Sequence, residues 1–231
     1  MLLFSLECSA AAASAAIYRD EKLLGEEFLN VPQTHSVTLL PMAKSLLEHT
    51  GISPTQIDYY AVSRGPGSFT GLRIGIAAIK GLAFPDDTPC IGVSTPEAIA
   101  YGLLGFEGTV IPMMDARCGQ VYTALFQGKD GRVTRLSEDE ALPLSELKEK
   151  LKSCTGPLWL CGDGAHLGLA AWGEELPVRM APAHLCCQRA SAVGLAAMQH
   201  LGEAVSPAAL VPCYLRPANA MTLAERQHKA E

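Results

Sequence analysis

The run Arg64-Gly-Pro-Gly-Ser-Phe-Thr-Gly-Leu-Arg-Ile-Gly75 gathers the residue types most able to do chemistry into one short stretch. Gly65 and Gly67 bracket Pro66, which demands a sharp turn. Ser68 follows at a helix N-cap position, where its hydroxyl accepts a backbone N–H of the first turn. A glycine-rich turn feeding a helix presents free N–H groups and the positive end of the helix dipole, as phosphate sites do. Arg64 and Arg73 flank the turn, and each can reach a phosphate, a partner carboxylate or a local acid. The Gly-Lys-Ser/Thr of a P-loop is missing, and so is Gly-x-Gly-x-x-Gly. On mechanics alone, a tight strand-to-helix turn whose glycines serve close contact stays open beside the phosphate reading.

The other candidates are sparser. His35 is a lone histidine at a helix start, a place for a cap or a satisfied imidazole more than for a ligand. Eight cysteines stand at positions 8, 90, 118, 154, 161, 186, 187 and 213, with no Cys-x-x-Cys among them. They read as small buried hydrophobes in a reducing compartment, not as a zinc site. No His-Glu-x-x-His and no Gly-x-Ser-x-Gly supports a peptidase, and Ser68 has no evident base. With 48% hydrophobic and 18% charged residues, the 231-residue chain has a globular profile, as one large or two small domains. A net charge of −6 argues against holding nucleic acid by a broad basic surface. The apolar start Met1-Leu-Leu-Phe-Ser-Leu6 is broken by Glu7 and has no basic flank, so it is not a secretion signal. No stretch spans a bilayer. A cytoplasmic protein without membrane attachment is expected.

These groups must be positioned by alternating elements. Strands are predicted at 2–6, 14–18 and 22–30, a helix at 34–49, a strand at 57–62 and a helix at 69–83. A strand at 90–93 and a helix at 95–104 follow, the latter opened by Ser94-Thr-Pro-Glu97 as a capping box. The second half repeats the plan, with strands at 109–114, 120–127 and 132–138, the last two joined by an Asp130-Gly131 hairpin turn. A helix at 145–151, a strand at 158–161, helix 165–172, strand 178–180 and helix 190–201 complete it. The order predicts an α/β protein of two lobes, 1–105 and 106–231, each a mixed sheet with flanking helices. Residues 207–231 read as an extended arm anchored by Pro212-Cys-Tyr-Leu-Arg216, with Tyr214 and Leu215 buried. Arg216, Arg226 and Lys229 on it are offset by Glu225 and Glu231, which gives no RNA-binding tail.

Several motifs together resemble one family. They are Leu3-Phe-Ser-Leu-Glu-Cys-Ser-Ala10, His35 with Leu39-Leu-Pro41, the glycine run 64–75, Ile91-Gly-Val-Ser-Thr95, Asp115-Ala-Arg-Cys-Gly-Gln-Val-Tyr122 and Pro212-Cys-Tyr-Leu-Arg216. Over essentially the whole chain they are similar to the bacterial TsaB (YeaZ) family, proteins of tRNA threonylcarbamoyladenosine biosynthesis. The resemblance implies two stacked lobes of the actin-like ATPase (RNase H-like, ASKHA) superfamily. It also implies a non-catalytic scaffold or dimerisation subunit that activates its paralogue TsaD, engages the ATPase TsaE and meets tRNA only through the complex. TsaD carries a metal-binding His-x-x-x-His on a helix; the matching positions here are Thr95 and Ile99, which suit no transition metal. No catalytic residue and no metal site are therefore expected. Stand-alone ATPase or kinase activity and, further off, a glycoprotease-like peptidase are the alternatives.

The resemblance also places the nucleotide question. The superfamily's first hairpin usually carries an Asp near the phosphates; here Glu7 stands there, suited to a hydrated Mg²⁺, a cleft edge or an interface. Asp115-Ala-Arg117 fills the second phosphate turn with charged side chains expected to pair. No tightly bound cofactor is expected. ATP or ADP would bind only within the complex, touching Glu7, Arg64, Gly65, Gly67 and Arg73 at the partner interface. Partner docking on TsaD, or on a second copy, is expected through the two helices of the first lobe. The residues are Val37, Leu39, Met42 and Leu46 of the first helix and Gly71, Leu72, Gly75, Ile76, Ala78 and Ile79 of the second.

Overall fold

In the computed structural model, which describes residues 1–216, two mixed sheets lie stacked with helices between and outside them. The first sheet has the order β3-β2-β1-β4-β5. Its strands are β1 (Leu2–Glu7), β2 (Ala13–Arg19), β3 (Lys22–Leu29), β4 (Tyr59–Gly65) and β5 (Cys90–Ser94). β1 to β3 form an antiparallel meander, and β4 and β5 add in parallel to β1. Parallel neighbours need crossovers, supplied by α1 (His35–Thr50) and α2 (Phe69–Ala83).

β1 is buried on both faces, which is why it reads as a nearly continuous apolar run. Phe4 and Leu6 join Leu39, Met42 and Leu46 of α1 and Ile76 and Ile79 of α2. Leu3, Ala61, Ile91 and Val93 face the other way, onto Val193, Ala196 and Ala197 of α6 (Ala190–Ala197). The second sheet comprises β6 (Gly108–Asp115), β7 (Gln120–Thr123), β8 (Phe126–Lys129), β9 (Arg132–Arg135), β10 (Glu140–Pro143), β11 (Leu158–Cys161) and β12 (Val178–Met180). Its main path is β10-β7-β6-β11-β12, with β8 also on β6 and β9 on β8. α4 (Leu144–Leu151) and α5 (Ala165–Trp172) cover its outer face through Leu147, Leu151 and Trp172. On the inner face, α3 (Thr95–Tyr101) brings Ile99 and Ala100 against Val110, Phe126 and Cys161.

Several expectations need correction. The strand expected at 120–127 is interrupted at Ala124-Leu125, although β7 and β8 keep one register against β6. The gap faces Pro112, which has no N–H to give the ladder. β10 lies in the polar stretch after the expected strand 132–138 and exists because β7 offers it an edge, with Leu142 opposite Val121. Only three of the cysteines, at 8, 90 and 161, are buried; Cys118 is exposed and the other four are intermediate, all eight thiols being free. Finally, the helix expected to complete the second half packs instead on the first sheet. Ser5 Oγ donates to the Ala190 carbonyl (2.7 Å), and Gly194 lies against the Tyr18 ring. Residues 190–213 thus return to the first lobe, although the expected division at 105/106 assigns them to the second.

The return continues past α6. Val205 bridges Cys90, Leu210 enters the core beside α2, and the Cys213 N–H donates to the Arg64 carbonyl (2.7 Å). Tyr214, expected to be buried, is 37% exposed and lies flat on Phe69 instead. Arg226, Lys229, Glu225 and Glu231 fall outside the described residues.

Ser94 caps α3 through the Glu97 N–H (3.2 Å), but the Glu97 carboxylate does not close a capping box. It bridges Arg135 on β9 (3.2 Å) and His200 after α6 (2.9 Å), tying elements of both sheets. Partial burial pulls the His200 imidazole down, but Glu97 and Glu203 together outweigh it and hold its pKa above the ordinary 6.5. A raised histidine stabilises the fold fully below pH 6.5 and loses that contribution as pH rises through its folded-state pKa. His200→Gln should therefore destabilise most near pH 6, with the difference from wild type shrinking by pH 9 in urea unfolding. At Gly71 a Cβ would sit 2.1 Å from the Cys8 carbonyl oxygen, a backbone atom that cannot swing away. Gly71→Ala is expected to cost about 3 kcal/mol in the same assay.

Candidate functional site

Three turns converge between the lobes: 9–11 after β1, 66–68 before α2 and 115–117 after β6. With Tyr122 and Asp163 they line a cleft of about 440 Å³. Ser68 caps α2 through the Gly71 N–H (3.2 Å), and the Ser68 N–H is itself held by the Ser9 carbonyl (2.7 Å). The glycine turn is thus bolted to the β1–β2 loop. Gly67 lines the cleft, and a Cβ there would meet the Ser9 carbonyl at 2.6 Å. Gly65 is buried instead under the Cys213 carbonyl of the arm. His35 Nε2 meets the Ala10 carbonyl (2.7 Å) and so helps to set the same loop.

Glu7 is not at the cleft edge or at a surface. It is fully buried, its carboxylate accepting from the Ser9 N–H (2.5 Å) and from the Ser63 hydroxyl. Burial pushes its pKa above the usual carboxylate range, against the opposing pull of these donors. The open carboxylates are Asp115 and Asp163. Asp115 accepts the Arg117 N–H (2.8 Å) and pairs with the Arg117 guanidinium (3.5 Å), the pairing expected from sequence. Asp163 accepts from Gln188 Nε2 (2.7 Å); burial, with some help from Asp115, raises its pKa. A triphosphate entering this cleft would meet two carboxylates and an arginine already paired with one of them. Glu7, the expected phosphate-side carboxylate, is not in the cleft, and no group of three metal-ligating side chains occurs among the described residues.

Arg64 and Arg73 also turn away from the cleft interior. The Arg64 stem lies over Gly92 on the sheet, and Arg73 lies 3.9 Å above the Phe69 ring with Nε donating to the Tyr214 hydroxyl (3.0 Å). Of the ten residues expected to form a partner surface, only Val37 is exposed. Leu39, Met42, Leu46, Gly71, Leu72, Gly75, Ile76, Ala78 and Ile79 are buried in the first lobe. The apolar excess was real but was divided between faces: the sheet takes the larger residues, and the glycines admit Cys8 rather than a foreign helix. The outward faces carry different residues, which the sequence argument missed. On α1 they are Val37, Leu40, Pro41 and Lys44; on α2 Thr70, Ala77 and Gly81 are exposed, with Ile74 half-buried beside them and Phe84 72% exposed just beyond. The spacing Thr70, Ile74, Ala77, Gly81, Phe84 is one helical stripe, legible in the sequence once the buried face is known. An apolar groove of about 1,040 Å³ runs beside it, lined by Leu40, Pro41, Leu47, Ile52 and Leu82.

Two sheets, each a meander extended by two parallel strands, stacked around a cleft, define the duplicated RNase H-like fold of the actin-like ATPases. Residues 29–153 match the family described as TsaD, tRNA N6-adenosine threonylcarbamoyltransferase. The tRNA threonylcarbamoyladenosine biosynthesis protein TsaB of Bacillus subtilis is 31% identical over 95% of this chain and 96% of its own. TsaB of Escherichia coli is 35% identical over 71% and 72%. YeaZ from Pseudomonas aeruginosa superposes with a TM-score of 0.77 at 27% identity, covering 93% of this chain and 99% of that one. The chain belongs to the TsaB (YeaZ) branch of this family.

The buried Glu7 gives a test of the site's electrostatics. Its folded-state pKa exceeds the ordinary 4.5, so above that value the native state retains a proton that the unfolded chain has released. Wild-type stability then falls as pH rises through that window. Glu7→Gln lacks this loss, so its stability relative to wild type should rise between pH 5 and pH 8 in urea titrations. A difference that moves the other way would mean an ionised, stabilising Glu7.

Proposed function

We propose that this protein is a non-catalytic subunit of the machinery that forms threonylcarbamoyladenosine in tRNA, docking on TsaD to activate it and engaging TsaE. Family membership supports the pathway. The observation that carries the docking role is the outward stripe of α1 and α2. Apart from half-buried Ile74, its small and apolar residues are exposed, and a Cβ at Gly81 would meet nothing within 4 Å. A glycine in an exposed helix interior costs about 1 kcal/mol against alanine; close approach by another helix accounts for keeping it. In the absence of TsaD, the same face would pair with a second copy.

The non-catalytic reading is supported at the positions that match TsaD's histidine pair. Thr95 and Ile99 are buried on α3, between the two sheets, where no side chain could reach a substrate. Purified alone, the protein should transfer no threonylcarbamoyl group; transfer without TsaD would overturn the proposal. No tightly bound cofactor is part of this reading, and ATP or ADP enters only with the assembled complex, in the cytoplasm.

Gly75→Arg would be a poor probe of the interface, because Gly75 is buried against Cys8 Sγ and Val62. Ala77→Arg and Gly81→Arg place the charge on the exposed stripe. Both should fold with wild-type circular dichroism yet lose capture of TsaD at least tenfold, and fail to restore the modification in cells lacking the native protein. Equal capture by folded variants moves the interface elsewhere.

A further inference from the structure

The mouth of the inter-lobe cleft has the opposite charge to its interior. Beside Phe69 lies a separate depression of about 240 Å³, walled by the turn before α2, the 116–118 turn, Tyr122 and the returning arm. Arg117 and Arg216 line it, and Arg73 borders it through its contacts with Phe69 and Tyr214. Arg216 is oriented by the Ala116 carbonyl (2.9 Å). Among the described residues, Asp115 is the one carboxylate paired with any of these three arginines, in a chain of net charge −6. We infer that this depression and its arginine rim hold a single-stranded RNA segment directly, one base lying on Tyr214 and the neighbouring phosphates running along Arg73, Arg117 and Arg216. The inference rests on the tRNA-modification reading and departs from it by giving this chain its own contact with RNA.

Three further observations favour a strand. Tyr214 is preorganised for stacking: its ring already lies on Phe69, centroids 4.8 Å apart and planes 29° from parallel, and its hydroxyl is held by Arg73. An incoming base gains a π-face without first ordering the side chain. The depression is below the range of about 300–1,000 Å³ usual for small-molecule sites, which suits a single splayed base continuous with an external backbone. The 116–118 turn is also strained. Arg117 and Cys118 both adopt left-handed backbone (φ 65° and 54°), a conformation that costs energy in non-glycine residues and collects at functional sites. Its effect is to hold Arg117 out, with its side chain 86% exposed. Duplex RNA offers no free base faces to such a platform, whereas loops do.

The test uses the full chain in complex with TsaD, unmodified tRNA transcript, and fluorescence anisotropy at several salt concentrations. Tyr214→Ala should weaken tRNA binding about tenfold, with Tyr214→Trp close to wild type. Arg117→Ala should lower the slope of log affinity against log salt by about one phosphate contact. Capture of TsaD by the same folded variants should be unchanged, which separates this inference from the docking proposal. Should wild type fail to capture TsaD, the docking proposal falls, and the same variants are read on the chain alone with an anticodon stem–loop. Affinities within twofold of wild type for both Tyr214→Ala and Arg117→Ala overturn the inference. Equal binding of a fully paired RNA duplex overturns it as well. Displacement of tRNA by submillimolar ATP, lost in these variants, would assign the depression to a free nucleotide and likewise overturn it.

Discussion

The first turn of α2 rests almost directly on the backbone just after β1, with only the small Cys8 thiol between them, and the site is built around that contact. Gly67 faces the Ser9 carbonyl, Gly71 the Cys8 carbonyl and Gly75 the Cys8 thiol. The thiol answers by donating to the Gly71 carbonyl (3.2 Å). Because backbone atoms cannot rotate out of the way, this approach fixes both the depth and the rotation of α2. Its rotation decides which residues are spent on the core and which are presented outward. Ile76 and Ile79 go inward; Phe69, Arg73, Ala77 and Gly81 are left for the surface. The cleft floor and the outer stripe are thus two products of one close contact.

Charge is sorted on a similarly short length scale. A protonation-prone Glu7 lies under the floor, Asp115 and Asp163 line the interior, and the arginines stand at the mouth. Arg117 belongs to both places: it lines the interior beside its partner Asp115 and also faces the depression where Arg216 stands. The architecture is that of the actin-like ATPases, with acids and arginines kept within one short stretch of the cleft wall.

Much of this was legible in the sequence, for identifiable reasons. Strands β1 and β2 are buried on both faces and flagged by apolar runs, and Ser68 and Ser94 announced their helix starts through local capping chemistry. The Asp130-Gly131 turn likewise declared itself, both residues adopting positive φ. What escaped was decided at long range. Whether Leu39 or Leu40 faces the sheet depends on the rotation of α1 against β2 and α2, which periodicity leaves open when the helix is apolar on more than one side. Glu7 looked available because burial of a carboxylate depends on Ser63, fifty-six positions away. β10 could not be seen because its strand character is lent by the edge of β7. The platform of Phe69, Arg73 and Tyr214 joins residues 141 positions apart, and only the returning arm brings them together.

That return of the chain has a consequence for biogenesis. The inner face of the first sheet, with Leu3, Ala61, Ile91 and Val93, is covered mainly by α6, with only Ala98 of α3 joining it from the first hundred residues. While the chain is being synthesised from its N-terminus, an early sheet would therefore stand with one oily face largely bare until nearly 200 residues had left the ribosome. Lobe-by-lobe maturation, the usual order for proteins built of successive units, is closed to this one. The first lobe is the first to be started and the last to be finished.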